Sequence, residues 1–290
     1  MQSTFLKWPW VSIQDSFFLK YGNFLIMALF ERYIGIDYSG AQAPLSSLPG
    51  LRVYVATPEQ SPCEIKVHES GIVSSTKKHW SRRGIAEFLV RELRDGPSTL
   101  VGIDHGFSFP LPYFEKYSLA HDWPDFLNDF QQHWPTDLDH MKVDYIRDGT
   151  EGSGLLRMGN SRWRRLAEQR CGAKSVFHFD VQGSVAKSTH TGLPWLRYLR
   201  QQLGKRLHFW PFDGWQPAKD KSVIAEAYPS LWSRNYPNQG VSPHQHDAYC
   251  IAMWMRQSDL EGGLAECFHP ELGGHELKQA EIEGWILGLT

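Results

Sequence analysis

Four acids stand in this 290-residue sequence where an acid is costly. Asp37 closes the apolar run Tyr33-Ile34-Gly35-Ile36, and Asp104 closes Val101-Gly102-Ile103. Glu226 lies in Ser222-Val223-Ile224-Ala225-Glu226-Ala227-Tyr228, and Asp247 opens the apolar stretch Ala248 to Met255. An ionised carboxylate beside apolar strand residues costs free energy unless something positive joins it. Acids gathered at one end of a sheet would make an oxygen-rich site for a hard cation, Mg²⁺ or Mn²⁺. Two such ions about 4 Å apart can activate water and hold the leaving oxygen of a phosphodiester. Each acid alone also has a plainer reading, as a turn former or, for Asp247, as a helix N-cap.

The elements that must position these acids alternate between strand and helix. Strands are predicted at 33–37, 51–57, 99–104, 175–179 and 222–228, with a strand or hairpin arm at 64–74. Ile85, Phe88, Leu89 and Leu93 recur at helical spacing over 80–94, and Gly96-Pro97 stops that helix. Further helices are predicted at 194–203 and 244–257, and 111–174 reads as a polar, helical insertion. This order belongs to an α/β, mixed-sheet layer fold.

Other residues suggest ways to hold a substrate. His244 and His246 precede Asp247, and an imidazole there could pass a proton to a leaving group; His246 is the candidate. A simple backbone contact near Pro243 is the alternative. Gly183-Ser184-Val185-Ala186-Lys187-Ser188-Thr189 resembles a phosphate loop, but Ala186 occupies the second glycine's place. Lys187, Thr189 and His190 nevertheless read as a donor-rich loop before a helix at Pro194, suited to an anion. Arg157, Arg162, Arg164, Arg165, Arg170 and Lys174 surround Trp163, with Glu168 the acid among them. Arg162 and Arg165 are the candidate phosphate contacts there, and a solvated helix face is the alternative.

Motif by motif, the chain also resembles a known family. The segments are Thr189-His190-Thr191-Gly192-Leu193-Pro194-Trp195, Trp210-Pro211-Phe212-Asp213-Gly214, Glu226-Ala227-Tyr228-Pro229, His246-Asp247-Ala248-Tyr249 and Glu283-Gly284-Trp285-Ile286-Leu287-Gly288. With the two strand-end acids, they resemble the domain of unknown function 429 family, described as predicted nucleases of ribonuclease H fold. The resemblance implies a ribonuclease H-like, mixed five-stranded sheet flanked by helices, with the 111–174 insertion. It implies that Asp37, Asp104 and Asp247 hold the metal ion, while Glu226 is a further ligand or orients one. A nuclease acting on nucleic acid with Mg²⁺ or Mn²⁺ is the function expected. No acid on the first helix clearly matches the second acid of a ribonuclease H proper, so RNA–DNA hybrid specificity does not follow. Asp37-Tyr38-Ser39-Gly40 and Asp104-His105-Gly106 also resemble actin-like phosphate loops. An ATP-binding phosphotransferase and a non-catalytic binding module are therefore the alternatives.

Composition narrows the class. Hydrophobic residues make up 41% and charged residues 21%, which excludes collagen-like, coiled-coil and wholly disordered chains. A net charge of −2 advertises no nucleic-acid partner by bulk charge alone. Aromatics reach 13%, with 12 Trp, so a large core or stacking surfaces must use them. Cys63, Cys171, Cys250 and Cys267 form no paired spacing, which points to reduced thiols and a cytoplasmic protein. The longest apolar run, Phe24 to Phe30, is far shorter than the roughly 20 residues that span a bilayer, so no membrane association is expected. Residues 1–28 read as a non-native or disordered extension ahead of one domain over 29–290.

Overall fold

The computed structural model describes residues 28–71, 77–238 and 240–290, so the expectation for the N-terminal extension lies outside it apart from residue 28. The described chain forms one six-stranded mixed sheet flanked by helices. In chain order the elements begin β1 (Arg32–Asp37), β2 (Arg52–Ala56), β3 (Cys63–Glu64), α1 (Arg82–Arg94) and β4 (Thr99–Asp104). Four helices follow: α2 (Leu111–Tyr117), α3 (Trp123–His133), α4 (Val143–Arg147) and α5 (Leu166–Cys171). The chain continues through α6 (Ala186–Leu203), β5 (Leu207–Phe209), β6 (Ser222–Glu226) and α7 (Pro243–Leu260), then α8 (Leu264–Cys267) and α9 (Gly274–Glu283). The strand order is β3-β2-β1-β4-β6-β5. β2 is antiparallel to both neighbours, whereas β1, β4, β6 and β5 run parallel.

The sheet therefore has six strands where the family resemblance implies five. Leu207-His208-Phe209 forms a three-residue edge strand too short to carry a period-2 signal. The expected strand at 175–179 is instead a series of turns. There Ser175 Oγ accepts from Phe177 N at 3.1 Å and donates to the Trp163 carbonyl at 2.5 Å. α6 begins at Ala186, not near Pro194, which sits inside the helix. Among the described residues, no helix is long and apolar enough to cross a membrane.

Alternation along the strands sorts the core into two faces. Ile34, Ile36, Val101 and Ile103 join Phe88, Leu89, Leu196 and Leu199 under α1 and α6. Tyr33, Leu100, Val223 and Ala225 pack with Ile251 and Met255 of α7 on the other face. Gly35 and Gly102 pair across β1 and β4, two residues before the paired acids Asp37 and Asp104. A Cβ at Gly35 would lie 2.3 Å from the Ala248 carbonyl oxygen, and one at Gly102 would lie 2.6 Å from Ile251 Cγ2. The missing side chains let α7 press directly on the sheet, with Ala248 and Ala252 facing the gap.

Most of the aromatic excess is core. Phe109, Phe130, Trp134, Phe177 and Phe179 enclose His190, all with ring centroids within 6 Å of its imidazole. Trp195, Trp210 and Trp232 are buried, and Trp215 is half-buried against Trp210.

The close approach of α7 yields a direct test. Gly35→Ala should destabilise the fold by about 1–3 kcal/mol, the usual cost of overpacking a tight interface. Urea unfolding measures it, and an unchanged midpoint would contradict the packing described.

Candidate active site

The parallel pairing of β1 and β4 sets Asp37 beside Asp104 at the carboxyl ends of both strands. Ligands gather in this position in open α/β sheets. The third acid arrives on α7. Pro243 starts that helix and Ser242 caps it, Ser242 Oγ accepting from Gln245 N at 3.3 Å. Asp247 is therefore not the cap.

Asp37 is buried and accepts a 2.8 Å hydrogen bond from His244 Nδ1, while the His244 ring is half exposed. Burial pushes the Asp37 carboxyl up to about 6; His244 opposes the rise and the charge of Asp247 adds to it. The same hydrogen bond raises His244. Asp104 is half-buried, and among the described residues nothing donates a hydrogen bond to its carboxylate. Desolvation, followed by the charges of Asp37, Asp247 and Glu226, lifts its carboxyl well above the ordinary range. Burial also raises Asp247, against the pull of His246 and His244. Among the described residues, no three His, Cys, Asp or Glu side chains close around one point as a finished metal cage.

Glu226 belongs to a different arrangement. Arg165 grips it with both guanidinium arms, Nη1 to Oε2 at 2.7 Å and Nη2 to Oε1 at 2.5 Å, and Phe107 N adds a third bond at 3.1 Å. Arg165 also binds Glu168 at 2.9 Å, and all three side chains are buried. Glu226 is thus neutralised within the protein, not held open as a ligand.

The expected substrate contacts need the same correction. Arg165 is buried and both of its guanidinium arms are taken up by Glu226 and Glu168. Thr189 and His190 lie inside α6, not in a loop, and both are buried. Thr189 Oγ1 accepts from Gly106 N at 2.9 Å, and His190 Nδ1 sits 2.9 Å from the Ala186 carbonyl. Burial pushes His190 down to about 3, so it stays neutral. Lys187 is half-buried and pairs with Asp144 at 2.7 Å. Arg162 is exposed, with no side-chain partner among the described residues. Most of the remaining basic stretch is spent internally: Arg157 pairs with Asp129, Arg170 with Glu276, and Arg164 holds the Ala173 carbonyl.

His246 Nε2 lies 3.5 Å from Cys250 Sγ and its charge acts on Asp247, while His244 meets Asp37. Helical spacing carries the reason. Positions 244 and 247 are three apart and share a face, whereas 246 and 250 are four apart and share another. The actin-like reading also meets a packing fact. The Gly106 amide is already bonded to Thr189, and a Cβ at Gly40 would lie 2.2 Å from the Lys187 backbone.

Comparison with family models, curated proteins and solved structures returns no match. The site is thus argued from its own residues. A small cleft of about 20 Å³ opens beside Asp104, with Lys174 and Tyr228 on its walls.

Crowding like charges in this way costs stability once they ionise. Asp37, at about 6 in the fold against about 3.9 unfolded, contributes stability that is full below pH ~4 and lost as pH rises through ~6. Asp104 shifts in the same direction. Asp104→Asn should therefore raise the thermal midpoint by several degrees at pH 7.5, with the gain fading toward pH 4. A calorimetric pH series in which the variant is less stable throughout would show that Asp104 is structural.

Proposed function

We propose that this chain is a divalent-metal-dependent phosphodiesterase acting on nucleic acid, built on a ribonuclease H-like sheet. The observation that carries the reading is the placement of Asp37 and Asp104 side by side at parallel strand ends, with Asp104 unpaired and Asp247 contributing to their field. An acid on the first strand, one on the fourth and one on the long helix after the last strand is the pattern that the family resemblance implies.

The donor set fits a hard cation by its chemistry: carboxylate oxygens, one of them without a protein partner. Asp37, Asp104 and Asp247 are the residues that would hold Mg²⁺ or Mn²⁺. When bound, such an ion acidifies water and offsets charge on a phosphoryl group. The protein's own parts serve the remaining needs. His244, drawn upward by Asp37 and half exposed, can give a proton to a departing oxygen. Lys174 on the cleft wall offers positive charge to a phosphate near Asp104. The buried Arg165–Glu226 pair fixes the end of β6 beside them.

The test is a Mn²⁺-dependent cleavage panel over single-stranded, duplex, hybrid and branched nucleic acids. Asp37→Asn and Asp247→Asn should each lose at least ~10²-fold of the activity, while His244→Gln should lose less and flatten the alkaline limb of the pH profile. Full activity in both carboxamide variants would reject the assignment.

A further inference from the structure

Across from Asp37, on the same face of the sheet, stands a cation that no sequence motif marks. Asp37 is paired with Arg52 in the register of β1 and β2. Alternation turns Val53 into the core under α1 and α6 and leaves Arg52 and Tyr54 on the α7 side, where Tyr54 packs with Ala248 and Ala252. Side chains directly opposite on antiparallel strands have Cβ atoms about 5 Å apart. Yet Arg52 does not bond to Asp37. Its Nη1 donates to Glu64 Oε1 at 2.8 Å, and its Nε donates to the Pro49 carbonyl at 2.9 Å. Among the described residues, its Nη2 has no hydrogen-bond partner.

Both anchors tie Arg52 to the parts of the site. Glu64 Oε2 accepts from Gln245 Nε2 at 2.8 Å, and Gln245 completes the cap of α7 through Ser242. The helical turn that carries His244 and the arginine therefore share one carboxylate. Pro49 leads into Gly50, where a Cβ would lie 3.5 Å from His244 Cε1 and 3.3 Å from Ser39 Oγ. The loop that holds Arg52 Nε thus runs alongside His244. The charge of Arg52 is felt at Asp37 and at His244 alike. Its side chain is 16% exposed, too little for a freely solvated cation and enough to be reached. Held at Nε and Nη1, the guanidinium has already lost much of the freedom that binding an anion would cost it.

We propose that Arg52 is a phosphate-binding residue of this site, giving its open Nη2 arm to a non-bridging oxygen of the phosphodiester beside Asp37 and His244. The inference rests on the phosphodiesterase reading and names a group that touches the substrate. The strand order supports it. Arg52 lies on the β2 side of the acids, and Lys174 lines the cleft with Asp104 and Glu226 on the β6 side. The two cations bracket the acid pair along the line that a phosphate backbone would follow. A guanidinium suits the task, because its planar fork serves Glu64, Pro49 and a third acceptor at fixed angles. Lysine keeps the charge and loses that fork.

Binding, read apart from cleavage, tests this. A fluorescein-labelled single-stranded oligodeoxynucleotide is titrated with the full chain over a series of salt concentrations, in Ca²⁺ instead of Mn²⁺ so that the strand stays intact. Arg52→Ala should bind about ten-fold more weakly or worse, as loss of one hydrogen bond to a charged group predicts. Its plot of log affinity against log salt should be shallower by about 0.7, the share of one phosphate contact on a single strand. Arg52→Lys should keep most of the slope and still lose affinity. Equal affinity and slope in wild type and Arg52→Ala would overturn the proposal. So would a loss in Arg52→Ala that tracks a fall in thermal midpoint and is fully restored by Arg52→Lys, since that assigns Arg52 to its ion pair with Glu64. The phosphodiesterase reading fails separately: a wild-type chain that binds the strand through Arg52 but cleaves nothing in Mn²⁺ keeps the contact and loses the reaction.

Discussion

The contact on which the site depends is that of α7 with the sheet at Gly35 and Gly102. Any side chain at either position would lift the helix, since a Cβ at Gly35 already meets backbone at 2.3 Å. Because these glycines lie two residues before Asp37 and Asp104 on paired strands, the contact that seats the helix also aligns the acids. Pro243 and Ser242 fix where the helix begins, and so decide that His244 and Asp247 face the strand ends. The same geometry concentrates negative charge, which the fold tolerates rather than gains from.

Charge around the sheet end is divided among three places. Glu226 is compensated by Arg165 and, through Glu168, built into a closed buried network. Such a network is costly to break, because either partner alone would be an unpaired buried charge. Asp37 is half compensated by an imidazole that can also leave it. Asp104 is not compensated. Satisfied groups hold the architecture here, and the unpaired Asp104 is the group on which the proposed cation site rests.

Much of this was legible in the sequence, and what was not has physical causes. The repeated pattern of glycine, isoleucine and aspartate at 35–37 and 102–104 carried the strands, their ends and the acids, since apolar runs closing on a carboxylate are rare and local. The start of α6 was missed because Thr189, His190 and Thr191 are weak helix formers that suit loops. Here Thr189 serves the Gly106 amide, Thr191 bonds back to the Lys187 carbonyl at 2.8 Å, and His190 fills an aromatic nest. Gly192 lies against the His105 ring, where a Cβ would meet Nε2 at 2.4 Å. That motif reads as anion binding in one dimension and as helix packing in three. Arg165 was misread for a related reason: its partner Glu226 lies 61 residues away, and no spacing rule announces a long-range ion pair. His244 was within reach of helical periodicity, which pairs it with Asp247.

The central claim is that Asp37, Asp104 and Asp247 await a divalent cation, and titrating the protein with Mn²⁺ tests it most directly. Electron paramagnetic resonance of free Mn²⁺ should show saturable binding of one or two ions per chain at pH 7.5, competed by Mg²⁺ and abolished in Asp104→Asn with the fold intact. An unaltered free-ion signal with the wild-type chain, or equal binding by the variant, would contradict the account.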